Sequence, residues 1–178
     1  VAAPFTVPTG VTHTSLLNAA SWVWEAGGDF IAPDGRQILF SQPQTRAGLR
    51  AYFALGRYLA PGVRGLTGLE PDFHFVNDAG TGVTLSGAWM FGPAGPKLRD
   101  DLGVALPPGA AFVGGSHLVV WKHSPHAEEA LQLIRFLTQT PAQVAVSERL
   151  GLLPASLPGL ASPPYATDPH WQIVVQGL

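Results

Sequence analysis

His117-Leu118-Val119-Val120-Trp121-Lys122 runs almost directly into Ser124-Pro125-His126-Ala127-Glu128-Glu129-Ala130-Leu131. The apolar run from Leu118 to Trp121 describes a strand buried on both faces, as in the interior of a parallel sheet. Ser124 then offers a helix cap. Pro125 suits a first helical position, where a missing N–H costs nothing. Glu128 and Glu129 stand near the positive end of the helix dipole. Ala127, Ala130, Leu131, Ile134 and Leu137 recur at the spacing of one helical face and form its core stripe. A buried strand leading into an amphipathic helix points to an α/β layered fold.

The rest of the chain extends that pattern. Val1 to Gly10, with Pro4 and Pro8, reads as loop or extended chain. A helix is expected from about Thr14 to Ala26, capped by Thr12 or Thr14 and ended by Gly27-Gly28. Pro33-Asp34-Gly35 is a turn, and Arg36 to Phe40 a short strand after it. A second helix is expected over Pro43 to Leu59, stopped by Pro61-Gly62, with Leu49, Tyr52, Phe53, Gly56 and Leu59 on its packed face. Strands are expected around Val83-Thr84-Leu85 and over Val104 to Leu106. Thr140-Pro141 opens a further helix that ends near Leu150-Gly151, and His170 to Val175 forms a final short element. Residues 1–178 read as a single α/β domain, with helices layered on both faces of a short sheet.

Composition narrows the function. The 178 residues suffice for a core without staples. Net charge is −2 and the ten Lys and Arg are scattered, which argues against nucleic acid as a partner. There is no Cys, so no disulfide and no thiolate chemistry. No apolar run approaches the roughly 18 residues of a spanning helix. The chain starts Val1-Ala2-Ala3-Pro4 without Met, so removal of a signal or upstream segment is expected.

Signals for catalysis are poor. The six His are dispersed, no H-E-x-x-H occurs, and no metal site or cofactor is expected. Gly80 to Gly87 has the third Gly of a dinucleotide fingerprint two residues too late. Gly114-Gly115-Ser116-His117-Leu118 lacks the closing Gly of a nucleophile elbow. Asp100-Asp101 and Glu128-Glu129 are explained by a surface loop and a helix start. No residue is singled out as catalytic.

The aromatic and Gly residues carry more information. Trp22 and Trp24 precede Gly27-Gly28, Trp89 ends Ser86-Gly87-Ala88-Trp89, and Phe112 precedes Gly114-Gly115. An aromatic face suits the C–H face of a pyranose, and glycines let backbone amides approach sugar hydroxyls. Trp22 and Trp121 read as core residues, whereas Trp24 and Trp89 are candidate sugar platforms.

Four segments, in order, resemble the C-terminal lobe of a family 1 extracellular solute-binding protein, the maltose-binding-protein group that serves sugar ABC importers. They are Trp22-Val23-Trp24-Glu25-Ala26-Gly27-Gly28-Asp29; Phe40-Ser41 with the Leu49 to Leu59 helix; Thr81 to Trp89, where Thr84-Leu85 replace the family's Ala-Met; and Phe112 to Ser116 through Ala130, with Gln143 and Leu153-Pro154-Ala155. The resemblance implies a periplasmic-binding-protein-like lobe on a short, mostly parallel sheet. It implies that Trp89 stacks on sugar, that Gly114, Gly115 and Ser116 meet its hydroxyls, and that the first helix from His13 to Asn18 faces the cleft. Its further implications are a di- or oligosaccharide ligand, no enzymatic activity, and an ABC permease as membrane partner. The expected location is periplasmic or extracellular, held at the membrane by the transporter or by a lipid anchor. An N-terminal lobe and a last C-terminal segment, present in the family, are missing from these residues.

Two other readings stay open. A lobe for an anion or peptide would need a cation on the same rim, with Arg36 and Lys97 as candidates. A small hydrolase would need Ser or Asp converging with His in a cleft.

Overall fold

The computed structural model describes residues 5–77, 81–92 and 102–178. They divide into two compact units, drawn from Val1–Gly87 with Leu106–Phe112 and from Ala88–Ala105 with Val113–Leu178.

The first unit is built on a short parallel sheet. Strand β1 (Phe5–Thr6) lies in the stretch expected to be loop or extended chain. Its sheet partner β2 (Val83–Thr84) falls at the centre of the expected strand, with Phe5 opposite Val83 and Thr6 opposite Thr84. On the other side Phe5 bridges Leu59, and Ala60 N–H donates to Phe5 O at 2.8 Å. With chain on both sides and both faces covered, Phe5 and Thr6 are buried although the strand is only two residues long.

Helix α1 (His13–Glu25) begins where expected, with the Thr12 hydroxyl accepting from Thr14 N–H. Helix α2 (Pro43–Ala54) starts on its proline and tightens into a 3-10 turn over Leu55–Tyr58, so it ends before Pro61. Its buried residues are Thr45, Gly48 and Tyr52, one helical stripe. Phe53, expected on that stripe, is 65% exposed. Gly48 sets how closely the two helices approach: a Cβ there would come within 2.5 Å of Val23 Cα. Phe5, Val7, Ala19 and Tyr52 form the core, with Trp22, Leu49, Leu59 and Leu85 packed against it. Trp22 meets the Tyr52 ring edge-on at 5.4 Å, in keeping with a core role.

No element was anticipated over residues 70–77, where helix α3 (Glu70–Asn77) forms and contacts both strands. Its signal is local: Thr67 N–H donates to the Glu70 carboxylate at 2.7 Å, half of an S/T-x-x-E capping box. Around Pro33-Asp34-Gly35 the expected strand 36–40 reduces to a single antiparallel bridge, Ile31 to Ile38, across a tight turn. The expected strand at 104–106 is likewise irregular chain.

The second unit is helical among the described residues. Helix α4 (Ala127–Leu137) starts after a Pro125-His126 turn rather than at Pro125, with Ser124 Oγ accepting from His126 N–H. Helix α5 (Thr140–Leu150) ends at Gly151, whose φ of 65° provides the left-handed cap. A short α6 (Leu157–Leu160) and α7 (Pro169–Gln176) follow, the latter capped by the Asp168 carboxylate. Tyr165, Trp171 and Met90 are buried, and the Trp171 ring meets Tyr165 and Phe91 edge-on at 4.8 and 4.9 Å.

The stretch expected to be the clearest buried strand is neither strand nor buried. Residues 117–122 pair with no other strand among the described residues; Val119 is 82% exposed and Trp121 70%. Trp121 is therefore not a core residue. The apolar pattern is genuine, but a strand needs neighbours to take its N–H and C=O groups. Among the described residues no helix is long and apolar enough to cross a membrane.

Candidate functional site

The candidate residues divide between the two units. His13, Asn18 and Trp24 belong to α1 in the first; Trp89, Gly114, Gly115 and Ser116 belong to the second.

Trp89 sits on a 3-10 turn, Ala88–Phe91, and the residue is 40% exposed. The turn is held by its neighbours: Gly92 N–H donates to Trp89 O at 2.9 Å, and Phe91 stacks on His170 of α7 and abuts Trp171. Gly151 lies directly beneath it. A Cβ on Gly151 would fall 2.5 Å from Gly92 N and 2.8 Å from Trp89 Cα. The residue that ends α5 thus also seats the Trp89 turn, a role sequence reading assigned only to helix termination.

Gly114, Gly115 and Ser116 are all exposed, and a Cβ on Gly115 would meet nothing within 4 Å. Backbone amides in such open chain are accessible to a polar ligand.

In the first unit, Trp24 is half-buried and fixed on two sides. Its Nε1–H donates to Asp29 Oδ1 at 3.3 Å, and Phe112 lies over its ring at 6.4 Å with planes 8° apart. Asp29 is in turn held by Phe30 N–H at 2.7 Å, while its carbonyl accepts from the Thr45 hydroxyl at 2.7 Å. One face of Trp24 is therefore occupied by protein.

His13 is exposed in the first turn of α1. Asn18 turns inward toward Tyr52. Burial pushes the Tyr52 hydroxyl above its ordinary pKa of 10.0, and the Asn18 side chain opposes part of that shift. Neither Asn18 Nδ2 nor the Tyr52 hydroxyl completes a hydrogen bond, so both polar atoms are buried at a cost.

A cleft of about 330 Å³ opens in the first unit, lined by none of the expected site residues. Phe5, Val7, Tyr52 and Leu59 give it an apolar floor, and Thr9, Ser15 and Arg64 give it a polar side. Of the cations expected to mark a charged ligand, Arg36 is exposed and is not among its lining residues, while Lys97 lies outside the described residues. Among the described residues no group of three His, Cys, Asp or Glu could hold a metal.

Comparison with known proteins follows the same lines. The family model for bacterial extracellular solute-binding proteins matches residues 77–173. No curated protein sequence matches the chain. Among solved structures, an ABC transporter solute-binding protein from Thermotoga lettingae TMO, bound with α-D-tagatose, superposes with a TM-score of 0.76 at 22% identity. The maltose/maltodextrin-binding domain MalE from Bdellovibrio bacteriovorus, bound to maltotriose, does so with a TM-score of 0.67 at 18% identity. Each match covers 98% of this chain and 47% of the solved chain. The fold is that of solute-binding proteins, and this chain spans about half the length of the two it resembles.

Proposed function

Because the chain belongs to the bacterial extracellular solute-binding protein family, we propose that it forms part of the carbohydrate-binding body of an ABC importer's solute receptor. In this reading it acts with a second lobe, closes on a di- or oligosaccharide, and presents it to a permease in the membrane. It works outside the cytoplasm, in the periplasm or at the cell surface, and catalyses no reaction. The residues form the C-terminal lobe as one functional domain.

The observation that carries the reading is the exposure of Trp89 on a turn whose backbone is seated by Gly92 and the close approach of Gly151. A turn held before the ligand arrives loses little backbone entropy on binding. Its apolar face can cover the C–H face of a pyranose, contributing about 1–3 kcal/mol at roughly 25 cal/mol per Å². Gly114, Gly115 and Ser116 supply amides and a hydroxyl for sugar oxygens.

Calorimetric titration of disaccharides and maltodextrins into the full-length gene product tests this. Trp89→Ala is expected to weaken binding about tenfold or more, since each 1.4 kcal/mol is tenfold. Unchanged affinity removes Trp89 from the site.

A second reading, a solute with an anionic group, is favoured by Arg64 on the cleft of the first unit. Arg64→Ala abolishing uptake of an acidic solute, with sugar binding absent in the parent, would select it.

A further inference from the structure

The Lys and Arg residues are spread along the chain, but the carboxylates leave one long stretch empty. Residues 35–69 hold five of the ten cations, Arg36, Arg46, Arg50, Arg57 and Arg64, and none of the twelve Asp and Glu. All five arginines are exposed, and no carboxylate among the described residues pairs with any of them. Helix α2 sets part of this charge in a row. With 3.6 residues per turn, Arg46, Arg50 and Phe53 fall within about 60° of one another around its axis. The buried Thr45, Gly48 and Tyr52 occupy the opposite side, against α1. Arg57 follows one turn later, in the 3-10 turn that extends α2, with its guanidinium 4.7 Å from the centre of the Tyr58 ring. Phe53 and Tyr58 are themselves exposed, so the arginines stand among aromatic rings that face solvent.

We propose that the stripe of Arg46, Arg50, Phe53 and Arg57 is a docking surface for an anionic phospholipid bilayer. Three features favour that occupant. The charge is of one sign and unopposed over 35 residues of sequence, although the whole chain carries a net charge of −2, so attraction is local to this face. The arginines are strung along a helix, about 6 Å of axis between Arg46 and Arg50 and about 10 Å from there to Arg57, rather than converged on a point. A single small anion needs converging donors, whereas headgroups in a fluid bilayer move to meet separated ones. The exposed rings of Phe53 and Tyr58 suit the boundary between headgroup and acyl chain, beside arginine stems that are apolar up to the guanidinium. Membership of an extracellular family favours the membrane over nucleic acid as the anionic partner. Docking of this kind needs no sugar, so it stands or falls apart from the carbohydrate reading.

Flotation of the 178-residue chain with lipid vesicles, without sugar, tests the proposal. The chain is expected to bind vesicles containing phosphatidylglycerol and not vesicles of phosphatidylcholine alone. Binding should fall at least about tenfold as salt rises from about 50 to about 300 mM. Arg46→Gln, Arg50→Gln and Arg57→Gln should each weaken it about fivefold, and the triple variant about 100-fold. The matching lysine variants should stay within about twofold of the parent, since they keep the charge. Phe53→Ser should lose a few-fold through its apolar contact, whereas Arg149→Gln, in the second unit, should change nothing. Thermal melting checks that every variant is folded. Equal binding to both vesicle types overturns the proposal, as does a triple variant that binds as well as the parent. Binding of polyglutamate through the same arginines, with no binding of vesicles, also overturns it and assigns the stripe to an acidic polypeptide.

Discussion

The two units divide similar apolar content very differently between inside and outside. The first buries Phe5, Val7, Ala19, Ala20, Val23, Tyr52, Ala60 and Val63 around a parallel sheet and two helices. The second buries Met90, Tyr165 and Trp171, while Leu118, Val119, Trp121, Leu133 and Phe136 face solvent. The difference does not lie in helix quality. α4 and α5 are as well started and ended as α1 and α2, by acidic residues, N-terminal proline and a left-handed glycine. What the second unit lacks among its described residues is a sheet. Helices alone bury one stripe each, and an extended apolar segment without partners buries nothing.

The sharpest way to break this comparison is at Trp171. With few buried apolar side chains among its described residues, the second unit depends on it, and Trp171→Ala is expected to cost about 3–5 kcal/mol. Urea denaturation followed by amide exchange in α7 reads the loss. A cost under about 1 kcal/mol would mean that the unit is held by something other than its aromatic cluster.

Gly48→Ala probes the first unit. The added methyl meets the α1 backbone, which has no freedom to move aside as a side chain would, so about 1–3 kcal/mol of stability should be lost on thermal melting.

Tyr52→Phe has the opposite sign. The hydroxyl is buried without a hydrogen bond, so removing it should leave stability unchanged or raise it by about 1 kcal/mol or less. The same burial creates a pH dependence. The folded-state pKa is raised above 10.0, so the contribution is complete below that value and is lost as pH rises through the higher folded pKa. Alkaline melting of the wild type should show this loss, and Tyr52→Phe should blunt it.

The smallest effect is expected on α4. Leu133→Ser changes an exposed residue and should alter the stability of this chain by less than about 0.5 kcal/mol, while lowering its binding of a hydrophobic dye. A large destabilisation would show that the face is already covered.

Much of the helical framework was legible in residue order. Thr12 before α1, Pro141 in the first turn of α5 and Gly151 at its end are signals within one or two turns of chain. α3 carried an equally local signal in Thr67 and Glu70, and was overlooked because its apolar face is short. The candidate site was legible in part. The exposed Trp89 and the open Gly114 to Ser116 stretch follow from Gly and aromatic placement, but Phe112 over Trp24 and Gly151 beneath Trp89 join residues 88 and 62 positions apart.

Residue order by itself determined where helices start and stop and which segments are apolar, because caps, prolines and a 3.6-residue period act within a few residues. Only tertiary structure decided which apolar segments are buried. Phe5-Thr6 became a buried strand with Leu59 and Val83 beside it, whereas the far more apolar Leu118 to Trp121 did not. A strand's hydrogen bonds lie outside itself, so its state depends on partners distant in the chain or beyond these residues.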